Sequence, residues 1–420
     1  MERTFSNKLS ESKKARIKGW VDDVRNIGKI IFLTVRDREG KVQIIAKKDD
    51  VSKGVFDTIA KLGKEDCVDI IGTVVKSKVA KLGYELLPET VRVVAGAEKP
   101  LPLDKNVDSG KDTRFNYRYL DLRDPKIMKV FIIRHKIIGL MHDYYRKNNF
   151  IEIHSPVIQA AGAEGGSTLF KFNYYGKEAY LRQSPQLYKQ MMMASGMDKI
   201  YEIGQVFRAE KFHTRRHLSE YLSADFEIAW IDSEEDVMIT LENMIEYVMK
   251  GLKAQGINVE VPKVPFKRVT YDEAVKLLNK AGLKIEWGED LEDAQEKKLG
   301  EIMQKKGHDF YFITKYPSKI KPFYVMLDGR LSRGIDLDYR GLELASGGQR
   351  EHRFDVLVKV MKEKGLNPKD FEFYTNAFRW GIPPHGGIGF GTERFVAKIT
   401  EMEDVQETIL FPRTPEKLTP

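Results

Sequence analysis

Short apolar runs with period-two alternation fill the first quarter of the chain. "ARIKGWVDDV", "KIIFLTVRD", "GKVQIIAKK", "CVDIIGTVVKS" and "YELLPETVRVV" are rich in Val, Ile, Phe and Thr. Turns such as "RDREGK" and "KLGY" separate them, the pattern of half-buried strands. One helix is predicted among them, "VFDTIAKLG" over 55–63, after the third strand. Beyond these strands the period lengthens. Asp124 as N-cap and Pro125 in the first turn open a helix with Ile127, Phe131, Ile138, Met141 and Tyr145 along one face, running to about Asn148. "FIEIHSPVI" then predicts a strand stopped at Pro156, since proline removes a ladder donor. Residues 232–320 show ordinary core spacing and predict helices packed around a core.

Five strands with a helix between the third and fourth make the arrangement of an OB-fold barrel, which binds single-stranded nucleic acid by aromatic stacking and basic contacts. The expected domains are a barrel over 1–97, a proline- and charge-rich hinge over 98–123 and a third segment over 124–420. Phe32 on the second strand is either a stacking platform or a barrel-core side chain. From the strand pattern alone the core is the better reading.

Composition narrows the class. With 420 residues, 42% hydrophobic and 31% charged, the chain is too long for one core and has ample apolar material for two or more. No apolar run reaches the length of a membrane span, and "MERTFSNKLSESKK" carries no hydrophobic signal region, so a cytoplasmic protein with no membrane partner is expected. The single Cys67 excludes an internal disulfide and a zinc finger. Residues 1–100 hold 21 Lys and Arg against 15 Asp and Glu, so most of the net +8 lies there. Two readings of that surplus stand open, a polyanionic partner or a surface kept charged for solubility.

Polar residues interrupt the strand patterns at four places: "AEGGSTLF" with "LRQSPQLYKQ" (163–190), "FRAEKFHTRRHLSEYLSADFE" (207–227), "IDLDYRGLELASGGQREHR" (335–353) and "GGIGFGTERFVAKI" (386–399). Arg208, Glu210, Arg216 and His217 could cradle a phosphate chain, with arginine supplying bidentate forks. Asp336 and Glu343, seven residues apart, are suited to Mg²⁺ bound with substrate phosphates. The glycines 387, 389 and 391 let a strand approach a flat ligand and lead into a helix bearing Arg394. The spacing is neither a Walker A loop nor a dinucleotide fingerprint.

Taken in order, these stretches resemble the signature motifs of class II aminoacyl-tRNA synthetases. The helix and strand over about 126–156 resemble motif 1, "FRAE" with "RHLSEYLSADFE" (about 207–227) motif 2, and "GIGFGTERF" (about 386–399) motif 3. With the barrel, the resemblance points to subclass b and to aspartyl-tRNA synthetases of the archaeal and eukaryotic type. It covers essentially the whole chain. The implied fold is α+β, a five-stranded OB-fold barrel plus an antiparallel sheet flanked by helices, and motif 1 implies a homodimer.

The resemblance implies ATP and Mg²⁺, L-aspartate and tRNA(Asp) as cofactors and partners, with tRNA(Asn) charged as well if the enzyme is relaxed. Arg208 would hold the α-phosphate, Glu210 the adenine amino group, His217 the terminal phosphates, Tyr221 the adenine face and Arg394 the γ-phosphate. Asp336, Glu343 and Ser346 would hold Mg²⁺. Lys189 and Arg350 would read the side-chain carboxylate, while Glu164, Gln186 and Asp225 would orient the amino end or close the "AEGGS" loop, with Ser346 beside them. Asparagine would leave the two cations unpaired, a penalty of roughly 3–5 kcal/mol, or on the order of a hundred- to several-thousand-fold.

In the barrel the resemblance implies that Phe32 stacks on an anticodon base, that Gln43 and Glu85 bond base edges, and that Lys81 is kept. Asp22 departs from the pattern, because relatives carry Trp or His after "GWV". That departure leaves the separation of tRNA(Asp) from tRNA(Asn) open. Two alternatives are an asparaginyl-tRNA synthetase, against which Lys189 argues, and a non-catalytic RNA-binding paralogue, against which Arg208, Glu343 and Arg394 argue. A ligase making a free amino-acid amide would have no use for the barrel.

Overall fold

The computed structural model describes residues 1–420 apart from 79, 81, 104–108, 161–168 and 211–214. The chain forms two compact units, Met1–Asp108 and Ser109–Pro420.

In the first unit β1 (Lys14–Asn26), β2 (Ile30–Arg36), β3 (Lys41–Lys47), β4 (Cys67–Lys76) and β5 (Tyr84–Ala95) close a barrel in the order β1-β2-β3-β5-β4. Helix α1 (Lys53–Ala60) follows β3 and is capped by Ser52, whose hydroxyl accepts from Val55 N. It begins two residues earlier than the pattern predicts and ends sooner. Strand alternation sorts the side chains. Ile31, Leu33 and Val35 are buried with Ile17, Ile44, Ile70 and Leu86, whereas Phe32 and Thr34 face outward, half-buried. Phe32 is therefore no core residue.

The second unit begins with α2 (Lys111–Asn116) and α3 (Arg118–Asp121), inside the segment that proline and charge mark as a hinge. The cause is an arginine. Arg118 is fully buried, pairs with Asp121 at 2.5 Å and Glu407 at 3.3 Å, and donates to the Glu407 carbonyl at 2.9 Å. Hydrophobic patterning counts such a residue as solvated and misses it.

Helix α4 (Pro125–Lys147) is capped by Asp124, as its sequence predicts. Its buried stripe is Val130, Ile133, Ile137, Met141, Tyr144 and Tyr145. Of the predicted face, Met141 and Tyr145 are buried, while Ile127, Phe131 and Ile138 are only partly so. Around Pro156 the predicted single strand breaks into β6 (Ile151–Glu152) and β7 (Ile158–Gln159). Strand β7 joins β9 (Lys177–Leu181) and β8 (Lys171–Tyr174) in a small sheet. Helix α5 (Gln186–Met192) follows.

The main sheet has eight strands. It is built from β10 (Lys199–Phe207), β11 (Glu220–Ala229), β12 (Lys267–Thr270), β13 (Phe310–Thr314), β16 (Gly334–Tyr339), β17 (Glu343–Gln349) and β18 (His385–Phe390), with β6 at one edge. The order is β12-β13-β16-β17-β18-β11-β10-β6. Only β12–β13 and β10–β6 pair in parallel, so the sheet is mainly antiparallel. A two-stranded ribbon, β14 (Leu327–Asp328) and β15 (Leu331–Ser332), precedes β16.

Helix α6 (Glu234–Ala254) starts at a capping box of Ser233 and Asp236. It packs with α4 and α11 (Thr392–Thr400) over the sheet, enclosing a core that includes Tyr145, Phe226, Leu241, Phe312 and Phe390. Helices α7 (Tyr271–Lys280), α8 (Asp293–Lys305), α9 (Phe354–Glu363) and α10 (Glu372–Arg379) complete the unit. The 232–320 segment thus holds helices and also the strands β12 and β13. "DFYFIT" is too short and too uniformly apolar for periodicity to separate strand from buried helix.

Candidate active site

Strands β11, β16, β17 and β18 floor a cleft of about 330 Å³. Register brings its polar residues together. Arg208 leaves β10 just past the Phe207–Glu220 pair, its N–H donating to Ser219 O at 2.9 Å. Tyr221, the second residue of β11, has its ring centroid 5.8 Å from the Arg208 guanidinium. Across the sheet Asp336 on β16 pairs with Ser346 on β17, which pairs with Gly389 on β18.

Of the residues singled out from the sequence, Gln186, Arg208, Arg216, His217, Tyr221, Asp225, Asp336, Glu343, Ser346, Arg350 and Arg394 all line this cleft. Glu210 lines a small adjoining depression with Arg208 and His217, 3.8 Å from each. Glu164 lies outside the described residues. Lys189 is 2% exposed and sits behind the wall. The His217 imidazole is held below its ordinary pKa by burial, with the Arg394, Arg208 and Arg216 charges adding to this and Glu210 opposing it.

Two buried ion pairs form the inner end. The Lys189 ammonium donates to Asp225 at 2.9 Å and to Ile388 O at 2.7 Å, and lies 3.5 Å from Glu227. Arg350 donates from Nε and Nη2 to Glu227 at 2.9 and 3.3 Å and from Nη2 to Gly387 O at 2.8 Å. Its Nη1 bonds no described residue. Burial alone would raise the Glu227 carboxyl, but Arg350 and Lys189 hold it below its usual range. Asp225 and Glu227 stand two apart on β11 and so share a face. Two carboxylates at that spacing, flanking Phe226 in the buried half of β11, are a legible signal of buried partners, and Glu227 is a residue the motif reading missed.

This geometry corrects the expected basis of discrimination. Lys189 and Arg350 are already balanced by Asp225 and Glu227, so no pair of bare cations awaits a ligand.

The glycines also act differently from expectation. A Cβ at Gly387 would overlap Phe226 O and the Glu227 carboxylate, so this glycine admits the neighbouring strand and its acid rather than a ligand. Gly389 and Gly391 do line the cleft.

Acids accumulate along β16, β17 and α8. Lys321 donates to Asp336 Oδ2 at 2.6 Å, while Asp336 Oδ1 is buried with no hydrogen-bond partner. Arg394 donates to the Glu343 carbonyl at 2.9 Å and carboxylate at 3.2 Å. Arg216 is clasped by Asp293 and Glu296 of α8, which sequence spacing could not bring to it. Burial and Glu343 push the Glu296 carboxyl up to about 7. Burial followed by Glu296, Glu343 and Asp336 raises buried Asp338 as well. Among the described residues no three His, Cys, Asp or Glu side chains converge into a ready-made metal cage. The donors that do face the cleft are hard oxygens, one of them unpartnered.

On the barrel, Gln43 pairs across β3–β5 with Glu85, donating to it at 3.3 Å. Asp22 is bound by Arg36 at 2.9 Å and Lys41 at 2.5 Å. A carboxylate so neutralised does not repel phosphate as an isolated one would. Lys81 lies outside the described residues.

Comparison with known proteins fits both units. Residues 110–415 match the family model for class II tRNA synthetases (D, K and N), and residues 15–94 match that for the OB-fold nucleic acid binding domain. The chain therefore belongs to the class II tRNA synthetases of the aspartate, lysine and asparagine group. It is 46% identical to the aspartate–tRNA(Asp) ligase of Pyrococcus horikoshii, over 99% of both chains. It is 44% identical to the aspartate–tRNA(Asp/Asn) ligase of Methanopyrus kandleri, over 98% of this chain and 97% of the other. The solved asparaginyl-tRNA synthetase of Pyrococcus horikoshii superposes with a TM-score of 0.94 at 32% identity, covering 100% of each chain. No helix among the described residues is long and apolar enough to cross a membrane.

Proposed function

We propose that the chain is an aspartate–tRNA ligase, activating L-aspartate with ATP and passing it to tRNA. One contrast carries the choice of amino acid. Within one organism, Pyrococcus horikoshii, the aspartate enzyme is 46% identical to this chain and the asparagine enzyme 32%. The shared fold of the latter reflects the group.

In the first step a substrate carboxylate oxygen attacks the α-phosphorus, the bond to the β-phosphate oxygen breaks, and pyrophosphate leaves. In the second, a ribose hydroxyl at the tRNA end attacks the carbonyl of the aspartyl-adenylate and AMP leaves. No side chain need act as nucleophile, so the residues contribute position and charge. Arg208, just past β10, and Arg394, on α11, both line the cleft and suit the α- and γ-phosphates, His217 the terminal phosphates, Tyr221 the adenine ring and Glu210 its amino group. Arg350 Nη1 suits the aspartate side-chain carboxylate.

Mg²⁺ fits the acids of β16 and β17. Asp336 with its unpartnered oxygen, Glu343 and Ser346 are oxygen donors of the kind that bind it together with substrate phosphates. Bound there, the ion would neutralise phosphate charge.

Acceptance of tRNA(Asn) as well is favoured by Asp22. Held by Arg36 and Lys41, it offers no aromatic face for an anticodon base, and Phe32 stands as the stacking platform. A homodimer through 126–156 is supported by the exposed apolar side chains Ile132 and Ile151.

The decisive experiment is aspartate charging of purified tRNA(Asp) and tRNA(Asn) transcripts side by side. Both are expected to be charged. Charging of tRNA(Asp) alone would remove the relaxed reading, and absence of ATP–pyrophosphate exchange with aspartate would remove the enzyme reading.

A further inference from the structure

Behind Arg350 lies a second polar layer that never reaches the cleft. Gln190, Tyr374 and His385 are all fully buried. The His385 Nδ1 is 2.8 Å from Pro383 O, and its Nε2 is 3.2 Å from Gln190 Nε2. Gln190 Oε1 accepts from Gln186 Nε2 at 2.9 Å and from the Tyr374 hydroxyl at 3.1 Å. Gln186 Oε1 in turn accepts from Arg350 Nη2 at 3.4 Å.

Amide orientation and imidazole tautomer are ordinarily ambiguous, because donor and acceptor ends look alike. Here both ends of the chain are unambiguous. A backbone carbonyl such as that of Pro383 only accepts, and a guanidinium only donates. Starting from Pro383, His385 must carry its proton on Nδ1. Burial lowers the pKa of the ring to about 4, leaving Nε2 bare at neutral pH. A bare nitrogen demands the Gln190 NH₂ group, so Gln190 turns its carbonyl toward Gln186. Gln186 must then present NH₂ to Gln190 and its carbonyl to Arg350. Starting from Arg350 gives the same polarity. Any single reversal would set two donors or two acceptors against each other among fully buried groups, which is costly.

We propose that Gln190 and His385 are positioning residues of the aspartate pocket, a one-way hydrogen-bond relay that fixes Gln186 and, through it, Nη2 of Arg350. Glu227 and Gly387 O hold the same guanidinium from other sides, so that Nη1 alone is left for a ligand carboxylate. The inference rests on the aspartate-ligase reading of that cleft. It explains why a histidine that neither titrates near neutrality nor touches the cleft heads the glycine-rich strand β18.

The test is ATP–pyrophosphate exchange with the full-length enzyme and three variants: Gln190→Met, which keeps the shape and removes the amide; His385→Leu, which removes the acceptor; and His385→Gln, whose carbonyl can still accept from Gln190. The expected result is a roughly tenfold rise in KM for aspartate in the first two, about one hydrogen bond's worth. KM for ATP should stay unchanged, kcat should stay within about twofold, and His385→Gln should recover most of the loss. A merely structural role would lower Tm in the same variants with KM for aspartate unmoved, and that outcome overturns the relay. If His385→Leu fails to fold, Gln190→Met decides alone. Exchange absent from the unmodified enzyme would instead sink the ligase reading, so the two failures are distinguishable.

Discussion

Arg208 and Arg394 enter one cleft from elements 186 residues apart in sequence, and each is expected to stabilise charge that develops on transferring phosphate. Arg208→Ala or Arg394→Ala should lower exchange by about 10²–10³-fold, the usual loss for one electrostatic donor, while tRNA binding measured by filter retention is retained. The preference for aspartate over asparagine should be roughly 10- to 150-fold, because it rests on charge-assisted bonds at Arg350 and not on two bare cations. Competition of the two amino acids in exchange reads it directly. His385 adds a pH dependence whose sign is fixed. Its folded pKa of about 4 lies below the unfolded value of about 6.5. The unfolded chain therefore binds more protons between these values, and stability falls as pH drops from about 6.5 to about 4, by at most on the order of 3 kcal/mol. Denaturant melts of His385→Gln should lack that slope.

At the scale of elements, the β11–β18 pairing carries the inner pocket. Strand β18 can lie against Glu227 only because position 387 has no Cβ. Gly387→Ala puts a methyl group onto the Phe226 carbonyl, which cannot rotate away as a side-chain tip could. The expected cost is about 1–3 kcal/mol from overpacking, with a larger rise in KM for aspartate than for ATP, since Glu227 and Arg350 shift together. A calorimetric melt with exchange kinetics checks both. The barrel strands were legible because alternation and turn residues agree. Helices α2 and α3 were not, since they depend on Arg118 finding Glu407 far along the chain, and β13 was not, since an all-buried strand has no polar face to give it a period.

For the whole molecule, the two units are expected to have separable tasks. Phe32→Ala on the barrel should raise KM for tRNA by roughly five- to a hundredfold, given 1–3 kcal/mol for base stacking, and leave exchange without tRNA untouched. Loss of both activities would point to a folding defect instead. Arg208, His217, Tyr221, Asp336, Glu343, Ser346, Arg350 and Arg394 were all legible in the sequence. They stand in compact motifs whose order along the chain is itself informative. Glu227, Gln190, His385, Lys321 and Glu296 were not singled out, because each acquires meaning only from a partner on another element.

By itself the sequence determined the barrel, the existence of a sheet flanked by helices, the group of enzymes and most of the cleft's lining. Those properties are written in local periodicity, turn chemistry and short motifs. Only the tertiary structure decided that Lys189 is spent on Asp225 and Glu227, that α8 clasps Arg216, and that His385 orders the amides behind Arg350. Charge balance and hydrogen-bond polarity are properties of neighbours in space. A residue's partners across a sheet are set by register and packing, which no stretch of sequence contains on its own.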